Sequence, residues 1–114
     1  MLPKKELQYL AKALKETPEY VQMLQYRRTI MKNPRLAKLM LSFERENMKV
    51  MHHDFPEDQV SAQIKKIYHE YKEFLEQEVV RGYTQAAQSY QKMVSSCIEY
   101  LNGLLDTSQT AKPY

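Results

Sequence analysis

The 114-residue sequence predicts an all-α fold: a short N-terminal helix, a kinked middle helix and a long C-terminal helix, forming an antiparallel helical bundle completed by dimerisation. Three observations lead there. Apolar residues recur at spacings of three and four along most of the chain, the period of a helix face rather than of a strand. Only two glycines, Gly82 and Gly103, are present, too few for a succession of tight hairpins. Two prolines, Pro18 and Pro34, each follow a residue suited to cap a helix.

The first helix follows Pro3, where Leu7, Leu10, Ala11 and Leu14 form one apolar stripe that ends near Glu16. Thr17 and Pro18 then signal a new start: a hydroxyl accepts from exposed amides, and proline loses nothing at the first helical position because that N–H has no helical partner. Glu19 suits the positive end of the helix dipole. Tyr20, Val21, Leu24, Ile30 and Met31 carry the apolar face to Asn33 and Pro34, where the helix must bend or be replaced by a second one. Leu36, Leu39, Met40, Phe43 and Met48 to Met51 resume the pattern. His52 to Pro56 reads as a linker, with Glu57 and Asp58 in the first turn of the next helix.

In the closing segment Val60, Ile64, Ile67, Tyr71 and Phe74 form one heptad seam. Tyr83, Ala86, Tyr90, Met93, Cys97, Tyr100 and Leu104 form a second seam in a different phase. The mismatch predicts a stutter, bend or change of packing partner between Leu75 and Gly82. Unbroken from Pro56 to Leu105, such a helix would span about 75 Å, which favours a dimer. Residues 1–106 are read as a single all-helical domain and 107–114 as a polar, flexible tail. Leu24, Leu39, Phe43, Ile64, Ile67, Tyr71, Phe74, Tyr90, Met93 and Cys97 are the expected buried set, within the chain or across a dimer.

Composition narrows the function. A chain of this length buries about 65% of its unfolded surface, leaving a thin core that a partner would supplement. Two glycines leave no room for a phosphate-cradling loop, which argues against most nucleotide enzymes. One cysteine and seven methionines suit a reducing compartment. No signal-like apolar region and no run of 18 apolar residues is found, so a cytoplasmic protein without a membrane partner is expected.

Catalytic chemistry finds little support. His52, His53 and Asp54 are metal-ligand types, but adjacent side chains diverge, and a polar linker accounts for them. His69 and Glu73 have helical i, i+4 spacing without a second ligand pair. Cys97 lies on the apolar seam, where packing explains it better than nucleophilic chemistry. No acid–base pair stands out. No enzyme activity, metal, cofactor or small-molecule substrate is therefore expected.

Two features point to partners. Tyrosine-rich seams suit protein interfaces, where a ring is buried and its hydroxyl stays paired, and Ile64, Ile67, Tyr71, Phe74, Tyr83, Tyr90, Met93 and Cys97 are the candidate interface. Residues 27–49 hold seven basic side chains against two acidic ones, whereas residues 57–78 hold six acidic against three basic. Such reversal fits two segments lying together, or a basic surface kept for a partner. Arg27, Arg28, Lys32, Arg35 and Lys38 are the candidate basic surface, and RNA is the alternative partner.

The run Glu16-Thr17-Pro18-Glu19-Tyr20, then Lys32-Asn33-Pro34-Arg35-Leu36-Ala37-Lys38-Leu39-Met40 with Phe43-Glu44, resembles the YlbF/YmcA family of small bacterial regulators. Tyr83 to Asp106, with Ala86, Tyr90 and Leu101-Asn102-Gly103-Leu104-Leu105, is similar to that family as well. The resemblance covers residues 4 to 106 and rests on order, spacing and length. It implies a non-enzymatic helical adaptor that forms homodimers or hetero-oligomers with related chains, in complexes controlling competence, sporulation or biofilm formation. It also implies a link to a ribonuclease complex and RNA processing. Some members carry further cysteines associated with iron–sulfur clusters. With Cys97 alone, this chain can at most donate one ligand to a shared cluster.

Overall fold

Helix punctuation sets where each element begins. The computed structural model describes residues 1–52 and 55–106. Among the described residues the fold is all-α, with helices α1 Lys4–Lys15, α2 Pro18–Met31, α3 Pro34–Met51, α4 Val60–Glu70, α5 Lys72–Leu75 and α6 Glu78–Leu105. A 3-10 turn at Glu57–Gln59 leads into α4. The expected tail at 107–114, together with His53 and Asp54 of the linker, lies outside the described residues.

Thr17 joins two helix ends. Its hydroxyl donates to the Leu14 carbonyl at 2.6 Å, beside its own backbone amide at 3.2 Å, and accepts from the Tyr20 amide at 3.3 Å at the start of α2. Asn33 separates α2 from α3, so the middle arm is two helices rather than one kinked helix. Its Oδ1 accepts from the amides of Arg35 at 3.1 Å and Leu36 at 3.2 Å, with Pro34 in the first turn.

The closing segment is interrupted rather than continuous from Pro56. A local distortion falls at Tyr71, and a turn at Glu76 and Gln77 separates α5 from α6. Phe74 and Val80 explain the turn. Six positions apart, they would point about 120° away from each other on a straight helix, yet both are buried in the same core. Turning the chain at Glu76–Gln77 brings both inward, within the interval where the two seams change phase. Gly82 does not break the helix and lies inside α6.

Two compact units divide the chain. In the unit spanning residues 24–84, Ile30, Met40, Phe74 and Val80 are buried together, with Leu39, Phe43, Tyr71 and Tyr83 packed around them. Helix α3 packs on α4. The Phe43 ring meets Tyr71 edge to face at 5.3 Å and Tyr68 at 5.6 Å, geometries that suit the ring quadrupoles. Of the expected buried set only Ile67 and Phe74 are buried; Leu24, Leu39, Phe43, Ile64, Tyr71, Tyr90 and Met93 are half-buried, and Cys97 is exposed within the chain.

The other unit comprises Met1–Met23 and the chain from Gln85 onward. Tyr20 packs edge to face on Tyr90, with centroids 5.5 Å apart, and Ala86 is buried. Helix α1 buries none of its residues. Cys97 differs from the expectation of core packing: it is exposed and borders an apolar groove lined, among the described residues, by α1 and α6.

Candidate interaction surface

Of the basic side chains singled out in the sequence, Arg27 is held internally. Its Nη1 donates to Glu44 Oε2 at 2.8 Å and its Nη2 to Glu44 Oε1 at 3.2 Å, a two-pronged pair that matches a planar guanidinium to a carboxylate. Nη1 also lies 3.4 Å from the Tyr83 hydroxyl. Hydrogen bonding to Glu44 raises the Arg27 pKa above its ordinary value, outweighing the opposite effect of burial. Helices α2, α3 and α6 each supply one member of this cluster.

Arg28, Lys32, Arg35 and Lys38 are exposed. Arg35 and Lys38 line a groove of about 720 Å³ in the unit spanning residues 24–84, together with Glu70 and Glu73 and the apolar surface of Leu39 and Phe74. The basic and acidic stretches of the sequence therefore meet at this groove. His69 and Glu73, four apart in sequence, fall on either side of the distortion at Tyr71, so they do not form a pair on one regular helix.

The candidate interface residues divide between the units. Ile67 and Phe74 are buried, and Ile64, Tyr71 and Tyr83 are half-buried, in the unit spanning residues 24–84. Tyr90, Met93 and Cys97 belong to the other unit, where the Cys97 thiol lies 3.8 Å from the Met93 sulfur. Along this helix an apolar groove of about 550 Å³ is lined by Leu10 and Leu14 of α1 and by Met93, Cys97, Leu101 and Leu104 of α6. Leu10, Leu14, Leu101 and Leu104 were not among the site residues expected from sequence. Their i, i+3 and i+4 spacing marks an apolar face, but spacing alone does not tell a covered face from an open one.

Among the described residues no three His, Cys, Asp or Glu side chains are grouped so as to hold a metal ion. Among the same residues no helix is long and apolar enough to cross a membrane. Residues 4–105 match the family model described as control of competence regulator ComK, YlbF/YmcA. No curated protein and no solved structure gives a match.

Proposed function

This chain belongs to the YlbF/YmcA family, and from that premise we propose that it is a non-enzymatic regulatory adaptor in the cytoplasm, forming oligomers with itself or with related helical chains. The observation that carries the reading is the apolar surface left open on α1 and on the last turns of α6, where Leu10, Leu101 and Leu104 are 44%, 47% and 63% exposed. Contiguous apolar surface of this kind favours a protein partner. The family's description, control of competence regulator ComK, supports a regulatory role for such an adaptor. Complexes that control sporulation, biofilm formation or ribonuclease-dependent RNA processing belong to the same reading.

A second reading rests on Arg28, Lys32, Arg35 and Lys38, whose exposure suits contact with an RNA backbone. One experiment separates the two. The tagged chain is captured from its native cells at low salt, with and without ribonuclease, and the retained proteins are identified. Related helical chains kept in both samples support the adaptor, whereas partners lost on ribonuclease treatment favour RNA.

A further inference from the structure

We infer that the groove between the start of α3 and the junction of α4 with α5 docks an amphipathic helix of a partner protein, with acidic side chains along one flank of its apolar stripe and basic ones along the other. The inference rests on the adaptor reading and gives it a surface and a partner chemistry.

The groove is built on a finished core. Phe74, 4% exposed, closes the core from below, while Leu36, Leu39 and Tyr71 line the groove and stay half-buried. Arg35 and Lys38, one turn apart on α3, stand on one wall. Glu70, the last residue of α4, and Glu73 of α5 stand on the other. All four charged side chains are exposed. Among the described residues, none of the four makes an ion pair or a side-chain hydrogen bond. Opposite charges therefore face one apolar channel without closing over it.

The backbone reinforces this polarity. Helix α3 begins at the groove with no acidic residue in its first turn, so the positive end of its dipole adds to Arg35 and Lys38. Helix α4 ends there, so the negative end of its dipole adds to Glu70.

The charge pattern selects the occupant. An RNA backbone drawn to Arg35 and Lys38 would meet repulsion from Glu70 and Glu73 across the groove, and a uniformly basic peptide would meet the reverse. A segment that carries both signs satisfies both walls. A helix laid in the groove can do so, because its apolar stripe faces Leu39 and Phe74 while residues on either flank of the stripe project towards opposite walls. Partner residues three or four apart would then meet Arg35 and Lys38 in register.

The test uses the full chain and three fluorescent helical peptides that share one leucine stripe. Their two flanks are Glu and Lys, Glu and Glu, or Lys and Lys. Fluorescence anisotropy at low salt should show the mixed peptide binding about tenfold tighter than either uniform one, and the preference should largely vanish at 1 M salt. Arg35→Glu with Lys38→Glu should move the preference to the Lys and Lys peptide. Glu70→Lys with Glu73→Lys should move it to the Glu and Glu peptide. Circular dichroism should stay helical, since all four side chains are exposed. If a reversed pair unfolds, Arg35→Gln with Lys38→Gln decides, and should abolish the preference for the mixed peptide over the Lys and Lys peptide.

Equal binding of the three peptides, or a preference that neither reversal moves, overturns the inference. So does a uridine oligomer that binds in their place and is lost on reversing Arg35 and Lys38, which puts RNA there. A change of mass in light scattering on reversing either wall, without peptide binding, puts a second copy there and overturns it too. Related chains still captured from cells in any of these cases leave the adaptor reading standing through another face.

Discussion

The ring of Tyr26 occupies the space that a Cβ at Gly82 would need, with Tyr26 Cζ only 2.6 Å from the position such an atom would take. A glycine inside a helix costs about 1 kcal/mol relative to alanine, so its presence within α6 needs a reason, and close approach of α2 supplies one. Gly82→Ala should destabilise the chain by about 1–3 kcal/mol in urea unfolding, as an overpacked site does. In a Tyr26→Ala background the same change should stabilise by up to about 1 kcal/mol. Equal effects in both backgrounds would show that the ring is not what excludes the side chain.

Arg27 and Glu44 form a two-pronged ion pair with side chains 32% and 37% exposed. Solvent screening at that exposure limits its contribution, and a double-mutant cycle with Arg27→Ala and Glu44→Ala should return a coupling of about 0.5–1 kcal/mol. Arg27→Lys should lose most of that coupling while keeping the charge, because an ammonium cannot match both carboxylate oxygens.

Asn33 caps α3 through two backbone amides. Asn33→Ala should cost about 1 kcal/mol of stability, while Asn33→Asp should be tolerated because it retains the accepting oxygen. Thermal unfolding of the two variants distinguishes loss of the cap from loss of side-chain volume.

Phe74 is 4% exposed in the core beside Ile30, Met40 and Val80, whereas Tyr68 on the neighbouring helix is 52% exposed. Phe74→Ala should cost about 3–5 kcal/mol, a large part of the stability of a domain this size. Tyr68→Ala should cost far less, although both rings touch Phe43. Similar losses at the two positions would contradict this placement of the core.

Burial raises the Tyr71 pKa above the ordinary tyrosine value, and the nearby Glu46 and Glu70 carboxylates raise it further against a lowering hydrogen bond with Ser42. The folded chain therefore holds this proton more tightly than the unfolded chain. The resulting stability is fully present below the unfolded pKa of about 10 and is lost as pH rises through the higher folded value. Urea midpoints followed above pH 10 or so should fall less steeply in Tyr71→Phe than in the unaltered chain. Parallel curves would assign the alkaline loss to other tyrosines.

Local signals in the sequence were enough to determine the all-α class and the cap-and-proline starts at Thr17 and Asn33, because capping and 3.6-residue periodicity act over a few neighbouring residues. The phase difference between the two closing seams likewise located the interruption before Gly82. Which charges and apolar stripes stay open was a tertiary decision. Arg27 has the same local pattern as Arg28, but only the packing of α2 near α3 and α6 gives it Glu44 and Tyr83. The stripe of α1 reads like any buried helix face, yet none of its residues is buried, because burial depends on what distant parts of the chain place opposite it. Gly82 reads as a helix breaker until the ring of Tyr26, far away in sequence, is brought against it.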